Sequence, residues 1–424
     1  MTLELSDGDR RLLGGARGEG AAFAMRLVVR AAEVTGARRL VDIVGAHVDS
    51  CLYHGEASID FVERLARGGT RVSVPTTLNV GAVDLLHPEL VHDDPERKER
   101  GRWLMDRYRA LGARPTYTCA PYQLDVARPA PGEQVAWGES NAIAFCNSVL
   151  GARTNRYGDF LDVAAAVTGR VPLAGLHTTE ARRATLVLRL GSDVPAELRD
   201  ADELFPVLGL LLGRRAGSAV AAVDGLPPGQ SEDRLKAVAA AAASSGAVAL
   251  FHVVGSTPEA PTLDAALGGG GPDAVENVTL ADLRAERDAL AHASSDRLAG
   301  VSLGTPHASL AEMARVADLL GGRRVHPDVQ LVVSTSRGIL EAAEERGIAG
   351  RLRDAGAEIL VDTCSYLVPV VRRLDGAVMT DSAKWAWYAP GNVGATSVLA
   401  STRDCVESAV AGRIVRDERP WGGV

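Results

Sequence analysis

Between residues 117 and 156 the chain concentrates groups able to hold a metal and a small anion. The stretch carries Tyr117-Thr118-Cys119-Ala120-Pro121-Tyr122, then Glu139-Ser140-Asn141, then Gly151-Ala152-Arg153-Thr154-Asn155-Arg156. A thiolate is a soft metal ligand, and a guanidinium fork matches a planar carboxylate. Near the other end, Asp381-Ser382-Ala383-Lys384 adds an acid, a hydroxyl and an amine. Of the 46 basic side chains only Lys98, Lys236 and Lys384 are lysines. Arginine never deprotonates in proteins, so a lysine in such a chain is either there for amine chemistry or there by chance usage.

The five cysteines form no CxxC, which excludes a zinc ribbon and a compact ferredoxin motif. Cys146 and Cys405 fall on apolar helical faces and read as core residues. Cys51, Cys119 and Cys364 instead follow apolar runs that read as strands. Three thiolates around an iron–sulfur cluster with one open iron would provide a Lewis acid for a substrate hydroxyl; ordinary buried thiols are the competing reading.

Elements must bring these groups together. Short apolar runs alternate with helical stripes, which predicts an α/β fold. The expected strands are 40–44, 71–74, 115–118, 185–190, 247–254, 329–333, 358–361 and 376–379. The expected helices are 57–66, 96–111, 141–150, 234–243, 310–320 and 337–345. Seven of the strands run into polar loops, among them Asp49-Ser50-Cys51, Asn79, Cys119, Asp362-Thr363-Cys364 and Asp381–Lys384. In open α/β sheets ligands bind beyond the carboxyl ends of strands, so these loops form the expected site. The Gly/Pro-rich breaks near 195 and at Leu267-Gly268-Gly269-Gly270-Gly271-Pro272 divide the chain into regions 1–195, 196–272 and 273–424.

A chain of 424 residues with 46% hydrophobic and 24% charged residues is globular, and long enough for more than one domain. A net charge of −8 without basic clusters argues against nucleic acid. The N-terminal MTLELSDGDRRLLGG has no apolar signal core. The most hydrophobic stretch, 237–254, is broken by Ser244, Ser245, Gly246 and His252, so no membrane span is expected. The cytoplasm is the expected compartment.

Several motifs together carry a resemblance. They are TCAPY at 118–122, ESNA at 139–142, NSVLGARTNR at 147–156, GLH at 175–177, GSTPEA at 255–260, GTPH at 304–307, DTC at 362–364 and SAKW at 382–385. In this order they resemble the catalytic region of the aconitase X family. The resemblance implies a multidomain, aconitase-like α/β architecture with several sheets and the active site at strand C-terminal ends. It implies dehydration of cis-3-hydroxy-L-proline or of mevalonate 5-phosphate. In this family a small swivelling domain is either fused to the large one or is a separate subunit. The end at Arg419-Pro420-Trp421-Gly422-Gly423-Val424 looks like that of a split-type large subunit, implying a small partner chain.

Matching motif to motif, Cys119 and Cys364 look like cluster ligands. Phosphomevalonate-type members have a further cysteine in the segment that is Gly304-Thr305-Pro306-His307 here. Its absence leaves open a third thiolate from Cys51, a [4Fe–4S] or [2Fe–2S] cluster, or mononuclear iron with His307 as a nitrogen ligand. Substrate contacts are expected at Val48, Asp49, Ser50, Asn79, Val80, Ser140, Asn141 and Lys384, with Arg153 or Arg156 on the substrate carboxylate. Lys384, Ser382 and Glu139 are the expected catalytic groups. Simpler roles compete: Glu139 could satisfy backbone N–H groups at a helix start, and the two arginines could bond the helix's last carbonyls. His177 and His252 read as structural, and His47 and His54 flank Cys51. The wording around Cys51 and the missing cysteine favour the hydroxyproline branch. Phosphomevalonate dehydration, a non-catalytic subunit binding a small hydroxy acid, and a metal-free α/β enzyme are the alternatives.

Overall fold

A computed structural model describes residues 3–290 and 297–422; Gly423 and Val424 of the expected split end lie outside the described residues. The chain divides into two compact units, Met1–Ala82 with Asp94–Arg183, and Val83–Asp93 with Ala184–Val424.

In the first unit the strands are β1 (Leu40–Asp42), β2 (Ala46–Val48), β3 (Thr76–Leu78), β4 (Ala136–Trp137) and β5 (Arg170–Pro172). β3, β2 and β4 form a parallel sheet in that order, and β1 pairs antiparallel with β5. All three strands of the parallel sheet therefore end on one side, at Asp49, Asn79 and Glu139. Helices follow their end signals. Asp94 accepts bonds from the Glu96 and Arg97 amides ahead of Pro95–Ala110, and proline at the first helical position has no N–H to leave unsatisfied.

Two expected strands are absent. Residues 71–74 are irregular because Val72 and Ser73 donate to the carbonyls of Leu111 and Ala166 rather than to a strand, and Pro75 lacks a donor. The strand lies just beyond, at Thr76–Leu78. Residues 115–118 run beside β3 without pairing as a strand. The Thr116 hydroxyl both accepts from the Leu78 amide and donates to its carbonyl, doing the work of a backbone pair.

The second unit holds two parallel sheets. β6 (Leu186–Leu190), β7 (Ala221–Asp224), β8 (Phe251–Val253) and β9 (Ala274–Val278) are ordered β8-β7-β6-β9. Because β6 pairs with β7 and β9, the boundary expected at 195 moves back to Ala184. The break expected at 272 lies within this sheet, where the glycine run only connects a helix to β9. β10 (Leu298–Ala308), β11 (Gln330–Thr335), β12 (Ala357–Leu360), β13 (Ala377–Thr380) and β14 (Thr396–Leu399) are ordered β12-β11-β10-β13-β14. β10, at the centre of this sheet, was missing from the expected strands because Gly300, Gly304 and Pro306 read as breakers. The ladder accommodates them with a register shift between Leu303 and Ala308.

The expected helices at 310–320 and 337–345 match Leu310–Leu320 and Arg337–Glu345 residue for residue. The first carries a reciprocal cap between Ser309 and Glu312 and ends at left-handed Gly321. Their apolar faces and the inner faces of β10–β13 bury Leu331, Val333, Leu340, Leu352 and Met379 in one core. Cys405 belongs to that core, and Cys146 is buried in Ser140–Ser148, both as expected.

Candidate active site

In the first unit the loop after β2 is organised by a residue that no motif signalled. Buried Asp162 accepts from the amides of Asp49 (2.6 Å), Ser50 (3.2 Å) and Val163 (2.6 Å), and from the Ser50 hydroxyl. Asn79 donates from its amide to Asp49 Oδ1, joining the ends of β2 and β3. Burial first, then the charges of Asp159 and Glu139, push the Asp49 carboxyl up to about 8, so it carries a proton at neutral pH. Burial likewise raises Asp162 to about 6.

These shifts set a pH dependence. A carboxyl that holds its proton up to about pH 8 when folded, against 3.8 otherwise, takes up a proton on folding across that interval. Its stabilising contribution is complete below the lower value and declines as pH rises through the upper one. Asp49→Asn should therefore flatten the fall in thermal midpoint between pH 5 and pH 9; a slope identical to the parent protein's counts against this protonation state.

Cys51 does not fit the part of third thiolate. It is fully buried, with its sulfur 3.2 Å from the Asn79 carbonyl and within hydrogen-bonding reach of the Val48 and Val80 carbonyls. Burial, then the charges of Asp49, Asp162 and Asp159, push the thiol far up, whereas the ligand form is the thiolate. Val48 and Val80 are buried and take part here through their backbone.

Glu139 fills the helix-start role weighed for it. It is the cap of Ser140–Ser148, its Oε2 accepting from the Ala142 amide at 2.7 Å and from Asn141 Nδ2, while Ser140 Oγ reaches Oε1 at 3.3 Å. Asn141 also donates to the Cys119 carbonyl at 2.8 Å and accepts from the Tyr122 hydroxyl at 2.7 Å, with Tyr122 stacked on Phe145. Asn141 thus holds the Cys119 turn in place.

Arg153 donates to the His177 carbonyl (3.2 Å) and the Thr179 hydroxyl (3.0 Å), and Arg156 is exposed. The arginine that caps the helix is Arg182, which donates to the Asn147 carbonyl and amide oxygen. His177, bonded to Tyr157 and Gln134, is structural as expected.

In the second unit the loop after β12 carries Cys364, fully buried. Arg337 clamps Asp362 with two bonds of 2.7 and 2.6 Å, the Leu85 amide donates to Asp362, and the Val361 amide donates to Asp84. His307 lies at the end of β10. Its Nε2 donates to the Thr363 carbonyl at 3.0 Å, which leaves the ring's lone pair on Nδ1. A His307 ring nitrogen and the Cys364 sulfur lie within 4.8 Å of each other. A buried thiol beside an oriented, neutral imidazole suits iron or an iron–sulfur centre.

Among the described residues, three non-glycine residues have a positive φ: Tyr117, Phe160 and Asp362. Each sits two positions before a residue singled out above, namely Cys119, Asp162 and Cys364. Such strain persists only where surrounding contacts enforce it, and it clusters at functional loops.

A cavity of about 500 Å³ opens in the second unit between the ends of β10 and β13. From β10 the chain order proceeds outward to β11 and β12 on one side and to β13 and β14 on the other, so this is the switch point where open parallel sheets bind ligands. Its walls include Thr305, Pro306, Asp381, Ser382, Lys384 and Lys236. Lys384 is buried, its Nζ 5.8 Å from the centre of the Tyr366 ring. Ser382 caps Ala383–Val393, its Oγ accepting from the Trp385 amide at 3.1 Å. Buried Lys236 forms an ion pair with Glu312 and a second, at 3.2 Å, with Asp233.

Residues 2–180 match the family described as Aconitase X first domain, 184–288 the second domain and 298–411 the third. This chain belongs to the aconitase X family. A Pseudomonas aeruginosa protein named cis-3-hydroxy-L-proline dehydratase is 44% identical to it over 96% of this chain and 70% of that protein. One of the same name from Hypocrea jecorina is 41% identical over 97% and 69%. A phosphomevalonate dehydratase large subunit from Methanothermobacter thermautotrophicus is 37% identical over 92% and 94%. The crystal structure of Thermococcus kodakaraensis aconitase X in its holo form superposes with a TM-score of 0.86 at 30% identity, covering 96% of this aconitase X chain and all of that one. The family's domain spans agree with a boundary at Ala184. No described helix is long and apolar enough to cross a membrane.

Proposed function

We propose that this aconitase X chain is the catalytic subunit of a hydro-lyase that dehydrates cis-3-hydroxy-L-proline, yielding Δ1-pyrroline-2-carboxylate after tautomerisation. The carrying observation is the 44% and 41% identity, over nearly the whole chain, to two relatives named for that activity, above the 37% to the phosphomevalonate relative. The reaction removes the proton on the carbon bearing the carboxylate, and the 3-hydroxyl leaves. Lys384, buried on the cavity wall, is the proposed partner of the substrate carboxylate, which must accept charge as that proton departs. Asp49 holds a proton at neutral pH and is positioned by Asn79 and Asp162.

In the second unit Cys364, with His307 as a further donor, would hold an iron or iron–sulfur centre, which when bound supplies a Lewis acid for the 3-hydroxyl; Cys119 of the first unit is the thiolate that the resemblance assigns. Asn141 orients the Cys119 turn, and the Arg337–Asp362 clamp orients Cys364. A separate small subunit is the proposed partner: the chain covers 94% to 98% of three relatives named large subunits. The cytoplasm is the proposed compartment, since none of the five cysteines forms a disulfide.

The test is turnover of cis-3-hydroxy-L-proline by protein purified anaerobically with its small subunit, iron and sulfide being measured on the same sample. Turnover that follows iron content supports the proposal. A paired, iron-loaded complex inert towards this substrate overturns it, with mevalonate 5-phosphate as the next compound to test.

A further inference from the structure

The cavity at the β10–β13 switch point contains a hydroxyl whose bonding is incomplete. Thr305 lines the cavity and is 6% exposed, yet its Oγ1 meets no hydrogen-bond partner among the described residues. Two neighbours share the feature: Ser334 Oγ on β11 and Thr363 Oγ1 just after β12, both fully buried and without a partner among the described residues. Three such hydroxyls thus stand at or near the carboxyl ends of three adjacent parallel strands. A buried hydroxyl left unpaired costs its full desolvation, and most buried polar side-chain atoms in native proteins are bonded. Of the three, only Thr305 faces the cavity.

The backbone there admits little alternative. Gly304 has φ +83°, and a Cβ on it would lie 2.1 Å from the Ser334 carbonyl oxygen. The chain is pressed against β11 at this point, which places the next side chain, Thr305, at the cavity wall. Lys384 and Asp381 line the same cavity from the β13 side, and Asp381 accepts from the Thr402 hydroxyl at 2.9 Å. A small zwitterion, carboxylate and ring ammonium together, fits a wall that offers an ammonium, a carboxylate and an unbonded hydroxyl.

We infer that Thr305 is a substrate-binding residue, its hydroxyl donating to the carboxylate of a small cyclic hydroxy amino acid held also by Lys384. The inference rests on the function proposed above. It makes Thr305 a group whose cost in the free protein is offset only in the complex, so function and stability should respond to its removal in opposite directions.

The experiment uses the iron-loaded protein with its small subunit. Inhibition by L-proline, which has the carboxylate and ring ammonium but no leaving hydroxyl, is measured for the parent protein, Thr305→Val and Thr305→Ser. Iron content and the ligand-free thermal midpoint are measured for each. Thr305→Val should raise the inhibition constant about tenfold, the loss of one hydrogen bond to a charged group. Its iron content should be unchanged and its midpoint equal to or above the parent's. Thr305→Ser, which restores the donor, should stay within about twofold of the parent. Unaltered L-proline inhibition in Thr305→Val overturns the inference. So does a lowered midpoint, which marks a structural hydroxyl, or a loss of iron with inhibition intact, which assigns the hydroxyl to the metal. Parent protein that turns over cis-3-hydroxy-L-proline while the variant binds normally removes this inference alone; parent protein inert towards both compounds removes the functional proposal as well.

Discussion

Cys364→Ser should lose its iron and its turnover together, while Cys51→Ala should keep both. The two thiols are equally buried, and their surroundings separate them. Cys364 lies beside His307, whose Nε2 is committed to the Thr363 carbonyl so that Nδ1 carries the lone pair, and its loop is held by the Arg337–Asp362 clamp. Serine keeps the size of cysteine but replaces a thiolate with a far weaker ligand. We expect turnover to fall by about three orders of magnitude, ~4 kcal/mol of barrier. Cys51 instead donates into backbone carbonyls, and burial and three carboxylates keep it protonated. Removing its sulfur should cost about 1–2 kcal/mol of stability and leave iron in place. Iron analysis and the visible spectrum of each variant, with urea unfolding of Cys51→Ala, decide the matter. Iron missing from Cys51→Ala would restore the three-thiolate arrangement.

The second pair concerns the two buried lysines of the same cavity. Lys236→Met should unfold the protein far more readily than Lys384→Met, and Lys384→Met should be the poorer catalyst among molecules that fold. Lys236 is paired with both Glu312 and Asp233, and Asp233 also accepts from the Ser309 hydroxyl at 2.9 Å. Deleting the ammonium leaves two half-buried carboxylates beside each other without their cation, a loss of about 1–3 kcal/mol. Glu312 is also the capping partner of Ser309, so the helix Leu310–Leu320 loses part of its start. Lys384 instead lies on the cavity wall, its ammonium 5.8 Å from the Tyr366 ring centre. Without it a substrate carboxylate loses a charge-assisted bond, and kcat/KM should drop about a hundredfold with the fold intact. Chemical denaturation and steady-state kinetics on both variants provide the comparison. Equal loss of stability in the two would contradict the assignment of separate roles.

Local signals were reliable wherever a short stretch decides its own structure. Leu310–Leu320 and Arg337–Glu345 were legible to the residue, because amphipathic spacing and hydroxyl caps at Ser309 and Ser336 act within one or two turns. The core roles of Cys146 and Cys405 followed from the same periodicity. β10 was hidden by its own glycines and proline, since a central strand can absorb breakers only when neighbouring strands hold it, and the sequence does not display those neighbours. The strand expected at 71–74 failed for the converse reason: its apolar pattern was right, but its amides were claimed by the ends of distant helices.

The sequence by itself determined the α/β character, written in its alternating periodicities, and the family, written in contiguous motifs. Only the tertiary structure decided which residue does what within the loops. It made Glu139 and Ser382 caps, Arg153 a loop brace and Cys51 a hydrogen-bonded thiol. It also revealed the bonding of Asp162 and Arg337 and the unbonded hydroxyl of Thr305, none of which any motif signalled. The physical reason is that a carboxylate, a hydroxyl or a thiol offers the same atoms in any chain. Its role depends on which donors, charges and amount of water surround it, and Asp162 meets Asp49 and Ser50 across more than a hundred residues of sequence.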